Sequence, residues 1–297
     1  MQAAAIEEST LHIASADGAA ADLQIVRPPG PVTDVVLWLP ALGVAARHYL
    51  PFAQALAARG TAVALHEWRG VGSSDRRAGR VSNWGYREIL TQDIPASLAA
   101  LRAAVPGARI WFGGHSLGGQ LASLFAGMHP NEHAGLLLVA SGAPYWRRFP
   151  RSWLIGAFIA AAPLIAALCG HFPGRRLHFG GSEARGVMAD WARSGRTGRY
   201  AVAGMDVDLE ALLATLSQPV LAVRLRDDWL GPLSSLDWLL GKMSHAAREV
   251  VLITSDDLVG APADHFAWMK APSAVAKRIV EHLASCPPSP RPAPLSI

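Results

Sequence analysis

The sequence predicts an α/β protein, a mainly parallel sheet with helices on both faces and one helical insertion. Three observations carry this. Short apolar runs recur along the chain, stretches with helical periodicity separate most of them, and one run passes directly into a helical stretch through Gly114-His115-Ser116-Leu117-Gly118. Parallel strands need crossover connections, and helices supply them.

The elements follow in order. Residues 11–16 and 21–27 read as two short strands around Asp17-Gly18, a hairpin that makes the first edge antiparallel. Val32–Leu39 is a largely apolar run ending at Pro40, and a helical stretch from about His48 to Arg59 stops at Gly60 before the strand Thr61–Trp68. A second helix, from about Tyr86 to Val105, leads to the strand Ala108–Phe112. A third begins near Leu117 and precedes the strand Ala134–Val139. The pattern resumes with Pro219–Leu225, a helix from Pro232 to about Arg248 that includes His245, the strand Glu249–Thr254, and a last helix from Pro272 to about Ala284. In that helix Val275, Ile279 and Leu283 are four apart and form one buried stripe, so the neighbouring His282 reads as structural or exposed.

Residues 144–218 break the alternation. Their stretch Trp153–Phe172 is almost wholly apolar, divided by Gly156, Pro163 and Gly170. About 20 apolar residues can cross a bilayer, but Pro163 and the position inside a soluble pattern favour a helical lid folded over the strand ends. The expected organisation is therefore a core of 1–143 and 219–286, a lid insertion of 144–218, and a disordered tail, 287–297, in which five of eleven residues are proline.

Composition narrows the class. The 297 residues are 51% hydrophobic and 17% charged, which excludes a wholly disordered chain. A net charge of +4 does not by itself argue for nucleic acid, and none is expected as a partner. Two cysteines, Cys169 and Cys286, make neither a disulfide framework nor a CxxC metal cluster. The start, MQAAAIEESTLHI, carries acidic residues where a secretory signal would be basic, so a cytoplasmic protein is expected.

The chemistry centres on Ser116. A Gly-x-Ser-x-Gly turn between strand and helix forces the serine into a tight bend, with Gly114 and Gly118 avoiding side-chain clashes. Its hydroxyl is then presented to substrate, and the Leu117 N–H at the helix start can stabilise an oxyanion. The bland alternative is a glycine-rich turn with an ordinary serine. A serine nucleophile needs a base and a group that orients it, in the order serine, acid, histidine in this architecture. Asp228 is the chosen acid, with Asp227 its close competitor, both just after the strand ending at Leu225; an acidic turn before Pro232 accounts for either equally well. His265, eleven positions after Thr254, is the expected base; its alternative is a polar loop residue capping the next helix. His115 is expected to point elsewhere. The second oxyanion donor is expected at the Leu42 N–H, because Ala41 and Gly43 let the chain pass close to Ser116.

These residues resemble those of the α/β-hydrolase superfamily across nearly the whole chain. The resemblance includes Arg69-Gly70-Val71-Gly72-Ser73-Ser74-Asp75, which it implies shapes the site wall, and Asp93, which it implies is structural. More narrowly, Pro40-Ala41-Leu42-Gly43, Tyr145-Trp146, Gly170-His171-Phe172-Pro173-Gly174 and Asp264-His265-Phe266 are similar to segments of bacterial hydrolases related to serine esterases and monoacylglycerol lipases. Pro40-Ala41 stands where many relatives have His-Gly, and Asp264 puts a carboxylate beside the base. The resemblance implies the α/β-hydrolase fold and a serine ester hydrolase acting through an acyl-enzyme, with a small-molecule ester as substrate.

No cofactor or metal is expected: Gly-x-Gly-x-x-Gly at the first strand, a phosphate-binding Gly-Lys-Ser/Thr loop and His-Glu-x-x-His are all absent from the sequence. In the lid, Trp146, Trp153, Phe158, Leu164 and Ile165 offer apolar surface for an acyl group, and Arg147, Arg148, Arg151, Arg175 and Arg176 offer charge for a carboxylate or phosphate. Equally, the first set could simply pack the lid and the second face water. An arginine-flanked apolar lid can also touch a lipid surface. An acyltransferase or peptidase with the same triad, or a non-catalytic ligand-binding protein, remains the alternative. The oligomeric state is left open.

Overall fold

The computed structural model describes residues 5–286; the proline-rich tail lies outside them. Strands β1 (Glu7–Ala14) and β2 (Ala20–Arg27) pair as an antiparallel hairpin, with Glu7 opposite Arg27 and Ala14 opposite Ala20. β2 then pairs antiparallel with β4 (Ala62–Leu65). Every later pairing in this sheet is parallel: β3 (Asp34–Leu39) lies between β4 and β5 (Arg109–His115), followed by β6 (Leu136–Val139), β7 (Val220–Leu225) and β8 (Arg248–Ile253). The sheet order is β1-β2-β4-β3-β5-β6-β7-β8.

Why the central strands read as continuous apolar runs is visible in their two faces. Val35, Leu37 and Leu39 of β3 join one core, while Val36 and Trp38 join the other. The same alternation puts Phe112 in the first core and Trp111 in the second. Successive side chains of a strand point to opposite faces, and here both faces are covered, so the middle of each central strand is apolar on both sides. Helices α2 (Ile94–Ala104) and α3 (Leu117–Met128) contribute to the first core; α1 (Leu50–Ala57) and α8 (Ser273–Ser285) contribute to the second. The α8 stripe of Val275, Ile279 and Leu283 is buried, and His282 beside it bonds Glu249 at 2.7 Å.

Two predicted helices change shape. The stretch from Tyr86 is not one α-helix: Ile89–Asp93 widens into a π-turn before α2. Pro95 has no N–H to offer the carbonyl four residues back, so the preceding ladder relaxes into the wider spacing. Asp93 sits in that turn, buried, and accepts from Arg69 at 2.5 and 3.0 Å and from the Ser15 hydroxyl at 2.7 Å. The helix expected from Pro232 to Arg248 is only α7 (Leu233–Leu240), so His245 lies in the turns beyond it.

The inserted helical region carries α4 (Ser152–Cys169), α5 (Arg185–Thr197) and α6 (Leu209–Thr215). Gly156 and Pro163 do not divide α4; it runs through both and ends at Gly170, whose φ is 83°. One face, with Ile159, Ala162 and Ala166, is buried. Close contact with α5 depends on Gly195, where a Cβ would come within 2.8 Å of Ile159. The opposite face is also apolar yet faces outward: Trp153 is 69%, Leu164 67% and Leu168 76% exposed.

Candidate active site

The end of β5 and the start of α3 meet at Ser116, whose φ of 55° is left-handed. Such a conformation costs a non-glycine residue of order 1–3 kcal/mol and persists only when the surroundings hold it. The Ser116 N–H donates to the Val139 carbonyl at 3.1 Å, and the Ser141 hydroxyl donates to the Ser116 carbonyl at 2.7 Å. The neighbouring glycines are steric necessities. A Cβ on Gly114 would lie 2.3 Å from the Gly118 carbonyl carbon, and one on Gly118 would lie 2.0 Å from the Leu39 oxygen. Gly118 thus brings the start of α3 against the turn that follows β3.

That turn, Pro40-Ala41-Leu42-Gly43, is held from outside. The Trp68 indole N–H donates to the Pro40 carbonyl at 3.0 Å, and the Ala41 N–H donates to the Tyr49 hydroxyl at 2.9 Å. The N–H groups of Leu42 and Leu117 donate to no acceptor among the described residues, and both residues line one cavity with Ser116. Gly43 packs against the inserted region, since a Cβ there would lie 2.0 Å from the Gly181 nitrogen.

His265, in the loop after β8, lines the same cavity, and Asp228, in the loop after β7, stands behind it. The His265 Nδ1 and an Asp228 carboxylate oxygen are 2.8 Å apart, both groups buried. The other Asp228 oxygen accepts from the N–H groups of Leu230 and Gly231, each at 2.9 Å, so the carboxylate is fixed on three sides. Asp227 is exposed and makes no bond to His265. Asp264 turns away from the imidazole and accepts from the Phe266 and Ala267 N–H groups at 2.9 and 2.7 Å. His265 lines the cavity with Ser116; the two are not hydrogen-bonded to each other here. In unliganded sites such bonds are commonly long and tighten with substrate.

His115 faces away from the cavity. It bonds the Tyr49 hydroxyl at 2.7 Å, and its ring lies 4.7 Å from that of His265. Burial, then the neighbouring His265, holds its pKa well below the usual imidazole range, so it stays neutral beside the candidate base.

The cavity has a volume of about 290 Å³ and a mainly apolar wall. The inserted region builds much of it, through Phe149, Ile155, Phe158, Phe179 and Trp191, while Trp229 and Phe266 flank His265. Of the residues expected to offer acyl surface only Phe158 lines it; Trp153 and Leu164 face outward, and Trp146 packs over Gly156. None of the five candidate arginines lines it either; Arg147 stacks on Trp146 and Arg148 on Trp238. Segment 69–75 does not form the wall as expected. Arg69 is spent on Asp17 and Asp93, and Gly72 packs on Glu67, where a Cβ would lie 1.8 Å from a carboxylate oxygen. Sequence reasoning missed Gln120, a polar side chain in the wall four residues after Ser116, although that spacing alone places it on the same helix face.

Comparisons with known proteins agree with this fold. The family model for serine aminopeptidase, S33, matches residues 30–177, which include Leu42, Ser116 and Leu117 but neither Asp228 nor His265. No curated protein sequence matches the chain. Among solved structures, the chain is similar to Est1E from Butyrivibrio proteoclasticus with ferulic acid bound, at 16% identity and a TM-score of 0.62 over 92% of this chain and 98% of that one. It is also similar to a thermophilic esterase from Thermogutta terrifontis, at 16% identity and 0.61 over 94% and 99%. A bacterial membrane phospholipase A shares the fold at 16% identity and 0.57 over 95% and 86%.

The expected cytoplasmic location is corrected by the last of these together with α4. Helix α4 is 18 residues long with a mean hydropathy of 2.1, long and apolar enough to cross a bilayer, and only 17% of it is buried. Apolar surface left in water forgoes about 25 cal/mol per Å², so the two findings point toward a membrane rather than a purely cytoplasmic place. The chain has the α/β-hydrolase fold, and the family model matched over residues 30–177 makes it a serine-hydrolase-like protein of that fold.

Proposed function

We propose that the protein hydrolyses carboxylic esters with an apolar acyl group through an acyl-enzyme on Ser116. The observation that carries this reading is the buried 2.8 Å His265–Asp228 pair at the edge of an apolar cavity that also holds Ser116. His265 takes the Ser116 proton through Nε2 as the serine oxygen attacks the ester carbonyl. Asp228 holds the ring in the tautomer that leaves Nε2 free and stabilises the imidazolium that forms. The Leu42 and Leu117 N–H groups, which have no other acceptor among the described residues, stabilise the tetrahedral oxyanion. The imidazolium returns its proton to the leaving alcohol oxygen. Water then attacks the acyl-enzyme, with His265 again as base, and releases the acid.

Residues 1–143 and 219–286 form the hydrolase core in this reading, and 144–218 act as a lid over the acyl pocket. The lid also meets a lipid surface. The outward face of α4 enters the interface between headgroups and acyl chains, and the exposed Arg151, Arg175 and Arg176 near its ends meet anionic headgroups. An aminopeptidase reading is less favoured, because no carboxylate among the described residues lines the cavity to receive a substrate ammonium.

The test is intact-mass labelling with a fluorophosphonate. A single adduct on the wild type, abolished in Ser116→Ala and His265→Ala, is expected, followed by turnover across a chain-length series of esters. No adduct on folded protein would overturn the reading. Faster transfer to an added alcohol than to water would make the protein an acyltransferase.

A further inference from the structure

One polar side chain of the cavity has no part in the chemistry above. Gln120 is 5% exposed and lies one turn along α3 from Ser116. Its Oε1 accepts from the Tyr200 hydroxyl at 3.3 Å. Tyr200 is a fixed donor. It is 4% exposed, its N–H donates to Glu210 at 2.7 Å, and Lys242, itself 2.6 Å from Glu210, lies 5.5 Å from the ring centre. Burial also keeps the phenol protonated. With Oε1 held in this way, the amide nitrogen is turned to the cavity. It donates to no group among the described residues, yet it is not sealed off from the cavity as an orphaned buried atom would be. If this position served only packing beside Phe158 and Trp191, an apolar side chain would do better, since an unused buried donor is costly.

The two faces of the sheet give Gln120 its end of the substrate. His265 hangs from the core that contains Ala263 and Trp268, and the Trp268 indole donates to its carbonyl at 3.1 Å. Tyr200, Trp191 and the buried residues of α3 belong to the core on the opposite face. The leaving alcohol must lie beside His265 to receive its proton, so the acyl chain runs the other way, toward Gln120. Four residues at 1.5 Å per residue separate Gln120 from Ser116 by about 6 Å along the helix axis.

We infer that Gln120 is a substrate-recognition residue whose Nε2 donates to an oxygen carried a few carbons along the acyl chain, so that the preferred substrates are esters of hydroxy- or oxo-substituted acids. This rests on the ester-hydrolase reading of the same site. A pocket built to hydrogen-bond a substrate oxygen discriminates against the analogue that lacks it, because the donor is then left unpaired.

The experiment compares kcat/KM for the p-nitrophenyl esters of octanoate, 3-hydroxyoctanoate and 5-oxooctanoate on the full chain, with fluorophosphonate labelling in parallel. The wild type is expected to favour one oxygenated ester over octanoate by about tenfold. Gln120→Met is expected to erase that preference, and Tyr200→Phe, which frees the amide to turn, to weaken it. A wild type that labels at Ser116 and hydrolyses octanoate at least as well as both oxygenated esters overturns this inference and leaves the hydrolase reading standing. An unchanged preference in a folded Gln120→Met does the same. A wild type that does not label overturns both.

Discussion

The bed of the site and helix α4 are both read from apolar or glycine-rich text, yet they are constrained very differently. In the bed, backbone atoms fix each position: a Cβ on Gly118 would lie 2.0 Å from the Leu39 oxygen, and a Cβ on Gly114 2.3 Å from Gly118. Along α4 the composition is nearly uniform, but one face is buried through Ile159, Ala162 and Ala166 while Trp153, Leu164 and Leu168 face outward. Steric demands of the backbone are written into local sequence. Which side of an apolar helix is covered is not, because both sides look alike until a neighbour packs on one of them.

The sharpest test of the constrained region is the adjacent pair of carboxylates. Asp228→Asn is expected to lower kcat by about 10⁴-fold, because the His265 tautomer is lost. Asp227→Asn, on an exposed side chain, is expected to stay within about twofold of wild type by steady-state ester hydrolysis. Equal losses would place the orienting acid elsewhere. Next comes Gly118→Ala, which drives a methyl into the Leu39 and Pro40 carbonyls and is expected to cost at least about 3 kcal/mol in urea unfolding. A stable Gly118→Ala would show that the bed is softer than its contacts imply.

The two faces of α4 should then separate. Ile159→Ala is expected to cost about 2–4 kcal/mol of stability. Leu164→Ser and Leu168→Ser, both exposed, should each stay within about 0.5 kcal/mol while lowering sedimentation with anionic vesicles. Vesicle binding unchanged in the double variant would remove the membrane role from this face.

The last expectation concerns a slope rather than a level. Glu183, behind the wall at Gly180 and Gly181, accepts from the Gly181 N–H at 2.6 Å, and burial pushes its carboxyl up to about 7 from 4.5, with Arg175 opposing. A carboxyl raised in the folded state contributes stability that is fully present below about 4.5 and is lost as pH rises to about 7. Glu183→Gln should flatten the fall in Tm across that window; an unchanged slope in thermal melts would assign it to other groups.

Much of the fold was legible because its signals are local. Strand alternation, Gly60, Pro40 and the Gly114-to-Gly118 turn each act within a few residues, so the sheet and the position of Ser116 follow from the text. Other features depended on distant partners. Segment 69–75 looks like a site wall, but Arg69 is taken by Asp17 and Asp93. The helix after Pro232 was overextended, because nothing in its periodicity marks Leu240 as its end. The cytoplasmic expectation came from the amino-terminal residues, whereas the surface that corrected it lies in α4.

The sequence by itself determined the alternation of strands and helices and the bend at Ser116, since short-range sterics and periodicity govern both. Only the tertiary structure decided that Asp228 rather than Asp227 meets His265, that Gln120 lines the cavity with its oxygen held by Tyr200, and which side of α4 faces outward. Each of those depends on groups tens of residues away. A contact between them exists only once the sheet has brought the loops at its carboxyl ends together.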